Sequence, residues 1–338
     1  MPLGGLPGRY CHVMSEDFLG SSRGQRQRWF GAKAPIKKVM GLRLPHVVVR
    51  GASQLPWLQD RRQRLPAPAH LQQVRATMGG ASFVMLRPSR CVIAKELYWG
   101  GGRRPRRADQ VALDVFAALA RPADLVLDVG AYTGIFSLLA AKVSSTSRVH
   151  AFEMIPAVAQ LANENVVAND LIGRITVHMH GIGRDGAVTR VPIGTGGSAL
   201  PDYYSTKFKF KTGVLVPIRS LDSLFTSFDV DGHLPVTLMK IDVEGTEDEV
   251  LAEGDRFLAG TQPDILCEIL PEANVVAVEK ALAPHGYRFL TVTETGLMPR
   301  RGLVAHSYYR DWLFTTRTNQ ELRALAVPVK GCRGKTSS

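Results

Sequence analysis

The chain has 338 residues, of which 45% are hydrophobic and 21% charged. An apolar fraction of this size is ordinary for a globular protein and excludes wholesale disorder, a collagen-like repeat and a coiled coil. The net charge is +12, and the excess lies in the N-terminal third, since residues 1–107 hold 20 Lys and Arg against 4 Asp and Glu, whereas residues 108–338 hold 22 against 26.

The cysteine pattern and the length of the apolar runs indicate where in the cell the protein is expected. The four cysteines form no CxxC pair, which argues against a zinc site or a disulfide framework and fits a reducing cytosol. The first ten residues lack the apolar segment of a secretory signal, and no apolar run approaches the roughly 18 residues of a membrane-spanning helix. We therefore expect a cytoplasmic protein without a transmembrane segment.

The basic N-terminal third has two interpretations. Such an excess suits contact with nucleic acid, an anionic membrane or a polyanionic substrate, but it is also typical of a loosely ordered leader. Few aromatic residues are interleaved for base stacking, so nucleic acid is the weaker choice of partner. We interpret residues 1–80 as a basic, flexible extension, residues 81–318 as the main domain and residues 319–338 as a tail.

Along the chain, residues 83–86 and 91–93 predict two short strands, and from residue 109 the apolar spacing alternates between helix and strand. Helices are predicted at 109–120, 135–143, 156–169, 247–251 and 272–283, and strands at 125–127, 149–152, 175–179, 236–241, 264–269, 287–293 and 312–315. Such alternation predicts an α/β fold, in which a mostly parallel sheet carries helices on both faces. Ligands of these sheets bind beyond the carboxyl ends of the strands.

The first strand ends in a glycine-containing loop, Asp128-Val-Gly130-Ala-Tyr-Thr-Gly134. Gly130 permits a sharp turn, and the helix that follows presents its amides to a carboxylate or a phosphate. Dinucleotide enzymes carry G-x-G-x-x-G here, whereas this loop has two glycines and an acidic entrance. An acidic entrance suits an ammonium group, which favours an amino-acid-like ligand. The alternative is a purely structural corner.

Carboxylates follow the later strands too. Glu153 ends the second strand, where it could accept both hydroxyls of a ribose, or else only complement the next helix dipole. Lys240, Asp242 and Glu244 follow the fourth strand and would share one face by alternation, with Glu268 after the fifth. Charges beside a buried strand are costly unless they are paired or line a cleft. We interpret this group as functional, with a structural ion network as the alternative.

At these residues the sequence resembles the FkbM-type S-adenosylmethionine-dependent methyltransferases. The resemblance covers roughly residues 95–318, and the paired asparagines Asn165 and Asn169 and the IDVEG block are more specific than the glycine loop. The stretches that carry it are LVLDVGAYTGIFSLLAA (125–141), HAFEMIP (150–156), LANENVVAND (161–170), MKIDVEGTEDEVLAEG (239–254) and PDILCEI (263–269). It implies a class I methyltransferase, Rossmann-like fold of seven strands, the last antiparallel, and methyl transfer to a hydroxyl of a sugar, glycolipid or polyketide-like metabolite.

The resemblance also implies a binding site for S-adenosylmethionine. Asp128, Gly130 and Gly134 would hold the methionine portion, and Glu153 the ribose. The adenine would lie beside Gly181 and Ile182. The remaining expected cofactor contacts are Tyr132, Thr133 and Met154.

For catalysis, Asp242 or Glu244 is expected to act as base or to orient the acceptor hydroxyl, with Lys240 tuning the charge and no metal required. Residues 194–213, rich in glycine, tyrosine and lysine, suit a lid over the acceptor or a solvated hairpin equally. The acceptor is expected to be a small molecule, a glycan or a glycolipid.

Three other functions compete with this interpretation. A nucleic-acid methyltransferase would use the basic third as a grip, but the Asn/Asp-Pro-Pro-Tyr/Phe signature of amino-group methylation is replaced here by Asp242-Val-Glu-Gly. A nicotinamide-dependent oxidoreductase would need the missing third glycine. A non-catalytic protein that only binds S-adenosylmethionine stays open, since fold does not imply activity.

Overall fold

The computed structural model describes residues 39–52, 65–191, 213–225 and 235–330, in two compact units that divide after His70. The described part of the first unit includes the helix α1 (Arg43–Ala52). This helix includes the short apolar run of the N-terminal third, Val47-Val48-Val49. Its side chains at Val47 and Val48 are exposed, whereas His46 and Val49 are buried.

The second unit begins with a β-hairpin and continues with the alternating elements that the sequence predicts. Its strands are β1 (Gln73–Met78), β2 (Ala81–Leu86), β3 (Leu125–Val129), β4 (Arg148–Phe152), β5 (Ile175–His178), β6 (Gly181–Ile182), β7 (Val188–Val191), β8 (Val214–Arg219), β9 (Thr237–Ile241), β10 (Asp264–Glu268), β11 (Arg288–Thr293), β12 (Gly296–Arg300) and β13 (Asp311–Thr315). Its helices are α2 (Val92–Trp99), α3 (Arg107–Ala120), α4 (Ile135–Val143), α5 (Pro156–Ala168), α6 (Leu221–Phe225), α7 (Glu247–Ala252), α8 (Asp255–Thr261), α9 (Val275–Leu282) and α10 (Asn319–Ala324).

Among the described residues, the central sheet has eight strands in the order β12-β11-β13-β10-β9-β3-β4-β5. Strands β3, β4, β5, β9 and β10 are parallel, and β13 runs antiparallel to both of its neighbours. This is the doubly wound α/β arrangement, with the antiparallel last strand that the resemblance implies. The order of strands reverses between β3 and β9, so a ligand cleft is expected at their carboxyl ends.

The expected strand count of seven is wrong by one. The extra strand, β12, folds back on β11 as an antiparallel hairpin. Gly296 opens β12 at φ +125°, a conformation that side chains with a Cβ rarely adopt. The prediction missed this strand because its five residues, GLMPR, include a proline and show no apolar alternation of their own.

Apolar residues on both faces of the sheet explain why its central strands are continuous hydrophobic runs. All five residues of β3 are buried. Val126 packs in a core with Val115 of α3 and Leu138 of α4, whereas Leu127 packs on the opposite face with Phe257 of α8. A parallel sheet that is covered on both sides requires this pattern.

Two buried asparagines, Asn165 in α5 and Asn169 at the C-cap of that helix, fasten the β1–β2 hairpin to the rest of the unit. Asn169 accepts a hydrogen bond from Val84 N at 2.8 Å and donates to Val84 O at 2.7 Å. Asn165 accepts from Leu86 N at 2.8 Å and donates to the carbonyl of Thr133 at 2.9 Å. The two amides therefore hold β2 as a neighbouring strand would, and Asn165 also holds the glycine loop.

The strand predicted at residues 91–93 is wrong, because the chain enters α2 there. Cys91 is the N-cap of this helix, and its Sγ accepts a hydrogen bond from Ala94 N at 3.3 Å. Residues 91–93 have the apolar composition of a strand, and a cysteine is a rare cap, so the local sequence gave no helix signal.

Outside the central sheet, β6, β8 and β7 form a three-stranded sheet beside the carboxyl end of β5. The loop expected at 194–213 falls, apart from Gly213, outside the described residues. The helix α10, within the segment expected as a tail, begins with a capping box between Thr318 and Glu321. In the described parts of the chain, no helix is long and apolar enough to cross a membrane.

The asparagine pair yields a stability prediction. Asn169→Ala leaves both main-chain groups of Val84 without their partner, so we expect the free energy of unfolding to fall by about 2 kcal/mol. Urea unfolding measures this change. The matched control is Asn163→Ala on the exposed face of the same helix, which should lie within about 0.5 kcal/mol of the unaltered protein. Equal stability of the two variants would contradict the proposed fastening role.

Candidate active site

The glycine loop and the IDVEG block lie against each other at the point where the strand order reverses. Asp242 N donates to Val129 O at 2.9 Å. Gly130 has φ +81°, and a Cβ at this position would overlap the carbonyl oxygen of Asp242. Only glycine fits this contact, so the close approach of the two segments depends on Gly130.

Asp128 lies beneath the loop rather than in its concave side. Its Oδ2 accepts hydrogen bonds from the main-chain N of Ser137 at 3.0 Å and from Ser137 Oγ at 2.6 Å. Burial raises the pKa of Asp128 to about 6, although both hydrogen bonds favour the charged form. The carboxylate thus anchors the first turn of α4, where the helix dipole favours a negative charge.

Glu153 is also buried, and it faces the cleft. Its Oε2 accepts from Tyr132 N at 3.0 Å and its Oε1 from Ile155 N at 2.8 Å. Burial raises the pKa of Glu153 to about 7. A carboxylate has about four acceptor positions, so two remain for hydroxyl donors.

A cleft of about 580 Å³ opens along the carboxyl ends of β3, β4 and β9. Its volume lies in the usual range for small-molecule sites. Eight of the residues expected at the site line it, namely Gly130, Tyr132, Glu153, Met154, Gly181, Ile182, Asp242 and Glu244. Asp128, Thr133, Gly134 and Lys240 lie behind this wall.

Those four residues shape the wall from behind. Thr133 is buried with its Oγ1 3.2 Å from Cys91 Sγ, and its carbonyl binds Asn165. Gly134 is the N-cap of α4, with φ +85°. Both act on the loop rather than at the surface of the cleft.

The end of the cleft beside the β6–β8 pair includes the apolar side chains of Met154, Ile182 and Ile218. A Cβ on Gly181 would overlap both Ile218 Cδ1 and Met154 Sδ. Gly181 therefore allows Met154 to pack close to β8.

Lys240 occupies the opposite end, below the surface of the sheet. It is 1% exposed, and its Nζ lies 3.5 Å from Asp242 Oδ2 and 3.6 Å from Asp311 Oδ1. The ammonium group also donates to Ile241 O at 3.2 Å. Burial alone would lower the pKa of Lys240, but the two carboxylates raise it above its ordinary value. The lysine is therefore a permanent cation.

Three carboxylates converge above this lysine. Asp242, Glu244 and Glu268 each offer an oxygen within 4.8 Å of the other two, a spacing that could hold a cation. Burial, followed by the charge of Asp242, raises the pKa of Glu244 to about 7 and holds that of Glu268 well above its usual range. Arg310 Nη1 lies 3.1 Å from Glu268 Oε1 and balances part of the negative charge of the three carboxylates.

The expected sharing of one face by Lys240, Asp242 and Glu244 is only partly correct. Strand β9 ends at Ile241, and Glu244 has φ +56°, so strand alternation does not extend to it. The turn nevertheless returns the Glu244 carboxylate to that of Asp242. A positive φ at a glutamate is uncommon and frequently marks a functional turn.

Sequence reasoning missed four polar residues of this site. Asp311 and Arg310 come from the start of β13, where Asp311 pairs in register with Glu268. Arg104 lines the cleft from the arginine-rich loop after α2 and pairs with Glu96 and Asp109 at 3.0 and 3.1 Å. His180 lines the apolar end. Only the position of His180 directly after a predicted strand offered a local signal.

Comparison with known proteins identifies the chemistry. Residues 128–289 match the family model described as the methyltransferase FkbM domain, and no curated protein matches the chain. This part of the chain is an FkbM methyltransferase domain. The protein is therefore a methyltransferase, and S-adenosylmethionine is its methyl donor.

Three methyltransferases are among the solved structures whose backbones match part of this chain. Precorrin-6y C5,15-methyltransferase from Geobacter metallireducens GS-15 has 13% identity over 61% of this chain and 87% of its own, with a TM-score of 0.34. TYW2 of M. jannaschii in complex with AdoMet has 11% identity over 72% and 85%, with a TM-score of 0.38. An O-methyltransferase from Bacillus cereus in complex with SAH has 15% identity over 62% and 80%, with a TM-score of 0.34.

The position of Glu153 yields a binding prediction. Removing its carboxylate in Glu153→Ala would delete charge-assisted hydrogen bonds to a ribose, so we expect the affinity for S-adenosylhomocysteine to fall at least about tenfold. Calorimetric titration measures the affinity, and thermal unfolding checks that the variant is folded. Glu253→Ala, an exposed glutamate outside the cleft, serves as the control. Unchanged affinity in a folded Glu153→Ala would contradict the ribose role.

Proposed function

We propose that this FkbM-domain methyltransferase transfers a methyl group from S-adenosylmethionine to a hydroxyl oxygen of a sugar, a glycolipid or a polyketide-like metabolite. The observation that carries the proposal is the group of carboxylates around Lys240, which lies at one end of the same cleft that Glu153 and the glycine loop line. A hydroxyl is a poor nucleophile until a base takes its proton, and a carboxylate group beside the donor supplies such a base.

In this proposal the cofactor lies along the cleft with its ribose at Glu153. Its adenine would lie beside Met154 and the Gly181–Ile182 segment, and its methionine portion would follow the loop around Gly130 and Tyr132. Asp128 contributes by holding the first turn of α4 in place. The sulfonium methyl would then point toward Asp242 and Glu244.

The two carboxylates take different roles because their environments differ. Asp242 lies 3.5 Å from the buried ammonium of Lys240, an ion pair that fixes the position of its carboxylate. Glu244 has a pKa of about 7, raised by burial and by the neighbouring Asp242. A base with a pKa near the working pH is the more effective one. We therefore assign proton removal to Glu244 and orientation of the acceptor hydroxyl to Asp242.

The transfer is an in-line displacement. When bound, S-adenosylmethionine would supply an electrophilic methyl group, and the electron pair of its sulfur–methyl bond would remain on sulfur. The acceptor oxygen forms the new bond to the methyl carbon, and its proton passes to Glu244. The protein contributes alignment, because Gly130 and Asp242 are in contact and so fix the distance between the cofactor loop and the acceptor site. No step requires a metal, since Lys240 and Arg310 supply cations to the carboxylates.

The assignment of Glu244 predicts a pH profile. A base must be ionised to act, so at saturating S-adenosylmethionine kcat/KM for the acceptor should rise with pH through about 7 and then level off. Glu244→Gln should lose this rise and lower kcat/KM by about 10²–10⁴-fold. Methyl transfer to glycosides and glycolipids, followed with labelled S-adenosylmethionine, measures both effects.

Controls separate this role from general disturbance of the cleft. Glu253→Gln, outside the cleft, should keep the full profile, and dialysis against EDTA should leave the rate unchanged. Wild-type activity in Glu244→Gln would contradict the assignment. An EDTA-treated enzyme that regains activity only with added Mg²⁺ would show instead that the carboxylates act through a metal.

A further inference from the structure

The helix α1 displays apolar side chains to solvent that a purely structural helix would bury. Val47 and Val48 are 70% and 72% exposed. Just before the helix, Val39 and Leu42 are also more than half exposed. Single exposed apolar residues are normal on a protein surface, but four within ten residues are a concentration that points to an interaction site.

The exposed valines lie on one side of the helix. At 100° per residue, Val47 and Val48 are neighbours around the helix axis, and Arg50 lies beside Val47. His46 and Val49, which are buried, occupy the opposite side. The helix thus has an outward apolar face bordered by a cation, which is the pattern of helices that lie in the interface of a membrane.

The surrounding sequence carries a strong and uniform charge. Residues 18–59 contain eight Lys and Arg and no Asp or Glu. Juxtaposed cations contribute about 1 kcal/mol each near an anionic lipid surface and act together with apolar insertion. Charge and exposed apolar area therefore point to the same partner.

We propose that α1 and the residues before it form a docking surface for an anionic phospholipid membrane, in which Val39, Leu42, Val47 and Val48 insert among the acyl chains. The exposed side chains are aliphatic, and this favours a lipid partner over a nucleic-acid partner. Sequence-tolerant nucleic-acid surfaces combine cations with aromatic side chains that stack on bases, whereas valine and leucine gain from transfer into hydrocarbon. The inference concerns the first unit alone and holds whichever hydroxyl acceptor the second unit methylates.

Vesicle co-sedimentation of the full chain tests the surface. Vesicles of phosphatidylcholine alone are compared with vesicles that also contain phosphatidylglycerol. The proposal expects binding to the anionic vesicles, weak binding to neutral ones and a decline as salt is raised. Equal binding to both kinds of vesicle, or binding to neither, would overturn it.

Variants separate insertion from charge attraction. Val47→Ser combined with Val48→Ser should weaken binding to the anionic vesicles by about tenfold or more. Arg50→Gln should weaken it by about fivefold. The matched control combines Ile172→Ser with Val276→Ser, two aliphatic residues of the second unit that are 73% and 72% exposed, and it should bind like the wild type. A double valine variant that binds as tightly as this control would contradict the proposal.

Two further results would reassign the surface. Sedimentation velocity without lipid should show no association that depends on Val47 and Val48; a dimer that the double variant abolishes would assign the face to a second copy of the chain. Titration with a single-stranded RNA is expected to show at most weak, salt-sensitive binding. RNA binding that the valine substitutions abolish, without any vesicle binding, would assign the surface to nucleic acid.

Discussion

Lys240 places an ammonium group in the central sheet where almost no solvent reaches it, and the charged end of the cleft depends on this cation. A buried charge is tolerated only with close partners, and Asp242 and Asp311 lie 3.5 and 3.6 Å away. With these partners the lysine stays protonated, and its ion pair with Asp242 fixes the position of that carboxylate. Further carboxylates, at Glu244 and Glu268, can then gather beside it, and burial together with the charge of Asp242 raises their pKa values.

The second constraint is steric, and it joins the two ends of the site. Gly130 contacts the carbonyl of Asp242, so the loop that borders the cofactor cannot move independently of the block that carries the acidic residues. From the other side, Asn165 holds the carbonyl of Thr133 and connects the same loop to β2. The hairpin before the sheet is therefore part of the scaffold that positions the loop, although it lies before the matched family domain.

Local patterns of sequence sufficed for much of the fold. Strand β3 and helix α4 follow from apolar spacing, and the glycine loop follows from Gly130 and Gly134 between them. The pairing of strands that are distant in sequence could not be predicted from such local patterns. Asp311 belongs to the site only because β13 inserts between β10 and β11, and nothing in its own neighbourhood in sequence indicates that. Asp128 is the opposite case, because its position in the motif suggested a contact with the ligand. Its side chain instead accepts a hydrogen bond from Ser137. This partner is nine residues away in sequence, and the geometry of the helix brings it close.

The central claim is that the carboxylates beside Lys240 prepare an oxygen nucleophile, and the chemical nature of the new bond tests it most directly. Methyl-labelled S-adenosylmethionine is incubated with the protein and a panel of glycosides, glycolipids and polyketide-like alcohols, and the product linkage is determined. The account predicts a methyl ether on a hydroxyl, stable to mild alkali. A methyl ester that mild alkali releases as methanol, or a methyl group on nitrogen, would contradict it.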